Sequence, residues 1–319
     1  MKSEKGRIQS RTVKSEALTL ASPGTRSSNH NRTKKVKRRI AIQGAQGSFH
    51  DIAAHRYFPD DDIELICCST FEQVFQSVEK DNQVIGLCAI ENTIAGSLLH
   101  NYDLLRESDT QIVGEYKLRI SHCFVCLPED DWADIREVSS HPIALMQCRE
   151  FLSRHAGLKV VEGEDTALIA ELIRRDNLRG HAAICSREAA ERHGMKILQA
   201  GIETNKHNFT RFLVVADPWQ VDELNRGRTS AVGKASIVFT LPHTEGSLSQ
   251  VLSILSFYKI NLTKIQSLPL IGREWEYRFY VDVVFDSVLR YKQSLAAITP
   301  LIRELKILGE YEEGKSSLQ

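Results

Sequence analysis

Val84-Ile85-Gly86-Leu87-Cys88-Ala89-Ile90 is an unbroken apolar run that stops at the polar Glu91-Asn92-Thr93. It reads as a strand buried on both faces, the kind found in parallel sheets. Upstream, Ile40–Gln43 reads as a short strand that breaks at Gly44-Ala45-Gln46-Gly47-Ser48, followed by a helix from about 50 to 57. Ile63–Cys68 is a second strand, and Thr70 caps a helix that puts Phe71, Val74, Phe75 and Val78 on one face. Downstream, a helix is expected near Leu98–Arg106. Strands alternating with helices across short connections predict a doubly wound α/β unit.

Residues 111–205 repeat the theme. Strands are expected at Ile112–Leu127, Val138–Ser140, Leu158–Val161 and Ala182–Cys185, with helices at Ala144–His155, Ala167–Arg174 and Arg187–His193. The chain from 39 to 216 thus divides into two lobes, 39–110 with 206–216 and 111–205, with a cleft between them for a small molecule. Residues 217–234, with Pro218, Gly227 and Gly233, read as a linker. From 235 to 312 the order strand, helix, strand, strand, helix, strand predicts a ferredoxin-like α+β unit. That unit has no paired carboxylates, no Cys/His cluster and no phosphate loop, so it reads as regulatory or dimerising.

The formal net charge of zero hides an asymmetry. Residues 1–39 hold 12 Lys/Arg against two acids, and the remaining 280 residues hold 29 against 39. A mildly acidic body disfavours a nucleic-acid surface, and no apolar run approaches the roughly 20 residues that span a bilayer. Residues 1–38 read as a disordered basic arm without the apolar centre of a signal peptide, and a cytoplasmic location is expected; the basic, hydroxyl-rich composition also suits a transit peptide. Seven cysteines lie mostly in apolar runs and are expected as buried thiols. Cys123-x-x-Cys126 has no second pair, so no metal site is expected.

Four segments stand at the ends of expected strands, where open α/β sheets hold ligands. Gly44–Phe49 brings Ser48 to a helix N-terminus, whose free N–H groups attract anions. Glu91-Asn92-Thr93 follows the buried strand, and could equally cap the next helix. Ser140-His141-Pro142, with Gln147 a turn further in, opens another helix. Asn208-Phe209-Thr210-Arg211-Phe212 sets a hydroxyl beside a guanidinium where a loop becomes a strand. Together they offer hydroxyls, amides and one guanidinium, with no Ser/His/Asp triad. Such a set suits a reaction driven by its substrate, in which the protein orients anionic groups and protonates a leaving group.

In this order the four segments resemble the prephenate dehydratases with a C-terminal ACT domain. The resemblance rests on Gly44-Ala45-Gln46-Gly47-Ser48-Phe49, Glu91-Asn92-Thr93, His141-Pro142-Ile143-Ala144-Leu145-Met146-Gln147-Cys148 and Thr210-Arg211-Phe212. It implies a catalytic domain similar to type II periplasmic binding proteins, which converts prephenate to phenylpyruvate in L-phenylalanine biosynthesis without a cofactor. By the resemblance Thr210 is the catalytic residue, either directing a proton through water to the departing hydroxyl or, since a threonine hydroxyl is a poor acid, orienting that group while another donor protonates it, and Arg211 pairs with a substrate carboxylate. Ser48, Asn92, Thr93, Ser140, Gln147, Asn208 and Phe212 complete substrate binding. Arogenate is the alternative substrate, and a non-catalytic ligand sensor the alternative function.

The ACT resemblance implies a phenylalanine effector at the interface of a homodimer, or of a tetramer. It assigns Gly246, Ser247, Leu248, Asn261, Leu262 and Ser267 to the effector. Where the family typically has Glu-Ser-Arg-Pro, this chain has Gln266-Ser267-Leu268-Pro269.

Overall fold

The computed structural model describes residues 36–225, 232–270, 272–273 and 276–314. Nearly all of the expected basic arm, and residues 226–231 of the expected linker, lie outside them. The first lobe contains β1 (Lys37–Gln43), α1 (Phe49–Tyr57), β2 (Asp62–Cys68), α2 (Phe71–Lys80), β3 (Val84–Asn92), the short β4 (Gly96–Ser97), α3 (Leu99–Glu107) and β5 (Gln111–Arg119). Val84 to Ile90 in β3 are all buried, as the unbroken apolar run requires. Ser48 and Thr70 cap α1 and α2, accepting the Asp51 and Gln73 N–H at 3.4 Å.

The second lobe contains β6 (Cys123–Cys126), β7 (Glu137–Ser140), α4 (Pro142–Gln147), α5 (Arg149–Ser153), β8 (Lys159–Glu162), α6 (Thr166–Arg175), β9 (His181–Cys185), α7 (Arg187–Arg192) and β10 (Lys196–Ala200). The chain then returns to the first lobe as β11 (Phe209–Ala216) and α8 (Pro218–Asn225). The first sheet has the order β2-β1-β3-β11-β5, with β4 beside β3, and β11 runs antiparallel to both neighbours. The second has the order β10-β6-β9-β7-β8. This is the expected two-lobed, type II periplasmic-binding-protein-like arrangement.

Three boundaries differ from the expectation. The strand expected at Ile112–Leu127 is two strands in two sheets, so 111–119 belongs to the first lobe. An uninterrupted strand of that length would run roughly 50 Å, longer than either sheet is deep. The apolar pattern continues through both cores and conceals the crossing at Ile120-Ser121-His122, where Ile120 N–H bonds Asn208 O at 2.8 Å. The helix expected at 144–155 breaks at the fully buried Cys148. Part of the expected linker is α8: Asp217 caps it through the Trp219 N–H at 2.9 Å, and Val221 and Leu224 pack on the first lobe's core.

Beyond α8, β12 (Lys234–Leu241), α9 (Ser247–Phe257), β13 (Asn261–Pro269), β14 (Tyr277–Val284), α10 (Val288–Ile298) and β15 (Arg303–Tyr311) form a sheet of order β13-β14-β12-β15, the ferredoxin-like arrangement. Its sheet packs on the first lobe: Val238, Tyr280, Leu308 and Tyr311 share a buried cluster with Ile90, Tyr102, Ile112 and Leu213. A Cβ on Gly309 would lie 2.2 Å from Ile112 O, so this approach of β15 to β5 requires glycine. No described helix is long and apolar enough to cross a membrane.

Candidate active site

A cavity of about 410 Å³ opens between the lobes. The first lobe contributes Asn92 from β3, Thr210 and Phe212 from β11, and the first turns of α1 (Ser48, Phe49, His50) and α2 (Thr70, Phe71, Glu72). The second contributes His141 and Gln147 around α4, and Glu164, Asp165 and Thr166 at the start of α6. His122 stands at the crossing between them. No Lys or Arg is among these lining residues.

Strand pairing brings the polar groups together. Thr210 lies opposite Asn92 and Arg211 opposite Glu91. Asn92 Nδ2 donates to Thr210 Oγ1 at 3.0 Å, Asn208 Oδ1 at 2.7 Å and Phe209 O at 3.2 Å. Asn92 Oδ1 accepts the N–H groups of Ile94 and Ala95, both at 2.9 Å, and Gln147 Nε2 at 3.4 Å. Gln147 Oε1 accepts Asn208 Nδ2 and His122 Nε2, each at 2.9 Å. Ser48, Asn92, Gln147, Thr210 and Phe212 therefore meet at one cavity. Asn208, fully buried, supports them from behind.

Four expected substrate ligands do not line the cavity: Asn208, buried behind it, and Arg211, Ser140 and Thr93, which lie elsewhere. Arg211 faces the opposite side of the sheet, because successive strand residues alternate. Its guanidinium, 6% exposed, bonds Glu115 at 2.6 Å, Glu91 at 3.2 Å, Tyr311 OH at 3.1 Å and Asp282. Ser140 is fully buried and donates to Ile184 O at 2.6 Å, tying β7 to β9. Thr93 is exposed; its hydroxyl donates to His207 O and accepts the Phe209 N–H, both at 3.0 Å, so it fixes the loop before β11.

Three histidines line the cavity, His141, His50 and His122, and the sequence singled out none of them as a ligand. His50 packs edge-on to Phe212 at 4.9 Å, its Nε2 accepting the Ala89 N–H at 3.4 Å, and burial pushes it down to about 3. His122 is 2% exposed, and burial holds it below the ordinary imidazole range although Gln147 and Glu203 act the other way. Both rings are neutral at neutral pH. Nothing in the sequence around His122 announced it, since it lay inside what read as one strand. Among the described residues no group of three His, Cys, Asp or Glu could hold a metal ion. Six of the seven cysteines are buried and Cys67 is exposed.

The expected effector residues do not form one patch within the chain. Gly246, in the left-handed conformation at φ 76°, and Ser247 and Leu248 follow β12, at the end of the sheet where Ser267 lies. Asn261 and Leu262 begin β13 at the other end, opposite Val284 and Val283. The two ends are about 25 Å apart along the strands.

The prephenate dehydratase family model matches residues 40–219. Arogenate dehydratase 1 of Petunia hybrida is 37% identical over 292 residues, which cover 86% of this chain and 66% of that protein. A solved structure described as GqqA, a novel type of quorum quenching acylase, has a TM-score of 0.75 at 28% identity, covering 86% of this chain and 98% of that one. Prephenate dehydratase from Staphylococcus aureus subsp. aureus Mu50 has a TM-score of 0.71 at 26% identity, covering 86% and 100%.

Proposed function

The chain belongs to the prephenate dehydratase family, and we propose that it converts prephenate to phenylpyruvate with loss of water and carbon dioxide in the cavity between the lobes. The supporting observation is the Thr210 hydroxyl, which accepts from Asn92 and makes no other side-chain hydrogen bond among the described residues. In this reaction the bond from the ring to its carboxylate breaks, and its electron pair becomes part of the new aromatic system. The bond from the opposite ring carbon to its hydroxyl breaks, and that oxygen departs as water after taking up one proton. Aromatisation drives the reaction, so no cofactor is needed. The protein's part is to hold the dianion in one pose and donate to the departing oxygen. Thr210 holds that oxygen through a hydrogen bond from its hydroxyl, while solvent water supplies the proton that completes the departing water. Ser48 and the first turn of α1 supply N–H and hydroxyl groups for a carboxylate, as helix N-termini do.

Arogenate is a second reading, favoured by one observation. The cavity lining has the carboxylates of Glu72, Glu164 and Asp165 and no Lys or Arg, a balance that suits a substrate with an ammonium in place of a keto group. The deciding experiment offers the purified chain prephenate and arogenate separately and follows phenylpyruvate and phenylalanine. Turnover of neither ends this reading.

The ferredoxin-like unit is the ACT regulatory domain in this reading, with phenylalanine as effector and the homodimer as the assembly. The separation of Gly246–Leu248 from Asn261 and Leu262 supports the dimer, because one small amino acid touches both only if two copies contribute. Absence of heat on titrating millimolar phenylalanine would remove the effector from the proposal.

A further inference from the structure

We propose that His122 is a positioning residue that, through Gln147, holds in place a hydrogen-bonded chain ending at Thr210, so that the Thr210 hydroxyl serves as a donor to the cavity. The inference rests on the catalytic role given to Thr210 above.

The direction follows from groups that cannot change roles. Asn92 Oδ1 faces the main-chain N–H groups of Ile94 and Ala95, which only donate, and its Nδ2 faces the Phe209 carbonyl, which only accepts. Asn92 therefore has one orientation. Its amide nitrogen meets Asn208 Oδ1, which turns the Asn208 amide nitrogen to Gln147 Oε1. The Gln147 nitrogen returns to Asn92 Oδ1, leaving Gln147 Oε1 opposite His122 Nε2 at 2.9 Å. Only an N–H can occupy that position, so His122 carries its proton on Nε2. Its Nδ1 is buried without a partner among the described residues, as a neutral ring of that tautomer leaves it. At the far end Thr210 Oγ1 already accepts from Asn92. Its own hydrogen is what remains for a substrate oxygen.

Without the His122 donor, Gln147 Oε1 keeps one of its two fixing bonds. The Gln147 amide can then swing out of the network, and Asn208 and Asn92, their orientation still set by the main chain, lose the support that holds the Asn92 nitrogen within reach of Thr210 Oγ1. His122 thus acts through Gln147 and not by transferring a proton itself.

The test compares His122→Phe, which keeps a ring and loses the donor, with His122→Gln, which restores an N–H. Steady-state kinetics on whichever of prephenate or arogenate the chain accepts should show kcat lowered about tenfold in H122F with KM changed less than about twofold. H122Q should recover to within about threefold of the parent chain. Nitrogen-15 NMR of the full histidine-labelled chain should show His122 as the Nε2–H tautomer with a bare Nδ1. Unchanged kcat in H122F overturns the proposal. So does equal loss in both variants with unaltered melting, since the ring itself would then be the acting group. An Nδ1–H tautomer overturns it without any activity assay, even if H122F fails to fold. A parent chain that turns over neither substrate sinks the dehydratase reading instead, and the NMR result still decides the direction of the chain.

Discussion

Replacing Arg211 with methionine should unfold the protein more easily without weakening substrate binding. Six charged groups are clustered between β3, β5, β11 and the ferredoxin-like unit: the carboxylates of Glu91, Glu115 and Asp282 against Arg211, Lys234 and Lys264. In the variant three carboxylates face two ammonium groups. Glu115 keeps Lys234 at 2.9 Å, and Glu91 keeps Lys264. Among the described residues Asp282, its side chain 7% exposed, keeps only the Ser236 hydroxyl at 2.5 Å. The uncompensated charge therefore falls on Asp282, and breaking a buried pair in this way costs about 3–5 kcal/mol. Adding Asp282→Asn restores the balance and should return roughly half of that loss, a coupling of about 2 kcal/mol. The cluster holds Glu115 and Glu91 below the ordinary 4.5: burial acts upward on each and is outweighed by cations, Arg211 and Lys234 for Glu115, Lys264 and Arg211 for Glu91. Carboxylates depressed on folding stabilise fully above their unfolded value, and that stability is lost as pH falls through the folded value. Without Arg211 the loss should set in at higher pH. Urea unfolding at neutral and acid pH, with kinetics at saturating substrate, tests each step. Unfolding within about 1 kcal/mol of the parent chain, with a raised KM and unchanged kcat, would refute the reasoning and make Arg211 a substrate ligand.

Thr210→Ala should lower kcat by about 10²–10⁴ with little change in KM, while Thr210→Ser stays within roughly tenfold of the parent, because a hydroxyl donor is needed only as the oxygen departs; near-normal turnover of the alanine variant removes the role. His50, pushed down to about 3, binds its proton more readily in the unfolded chain, so the stability tied to its burial is complete above the ordinary 6.5 and is lost as pH falls from there toward about 3. His50→Phe should flatten that part of the stability profile measured by thermal melting, and an unchanged profile counts against a neutral, half-buried imidazole.

What the sequence revealed and what it concealed divide along strand alternation and chain crossing. The apolar Val84–Ile90 run placed β3 in the middle of the first sheet, and its polar ends placed Asn92 at the cavity. The six elements of the ferredoxin-like unit were legible because each apolar pattern has its own turn signals. Arg211 was misread because a motif lists neighbours in order, whereas a strand sends neighbours to opposite faces. Thr210 and Phe212 share the cavity, so Arg211 cannot. The same alternation sends Asn92 to the cavity and Glu91 to Arg211 behind it. That back face had no expected charge partner, because Lys264 and Asp282 lie in a unit that pattern reading treats as separate. They are 173 and 71 positions from the groups they bind. No local period marks such pairs. Ser140 went astray for a related reason: a hydroxyl at a strand end can serve a ligand or the neighbouring strand, and here the carbonyl of Ile184 takes it. His122 stayed hidden because the β5–β6 run looks continuous, while the chain changes sheets there. A site built where two strands cross takes its donors from both crossing segments, 120–122 and 202–208, whose contact follows from the closure of two lobes and from no spacing in either.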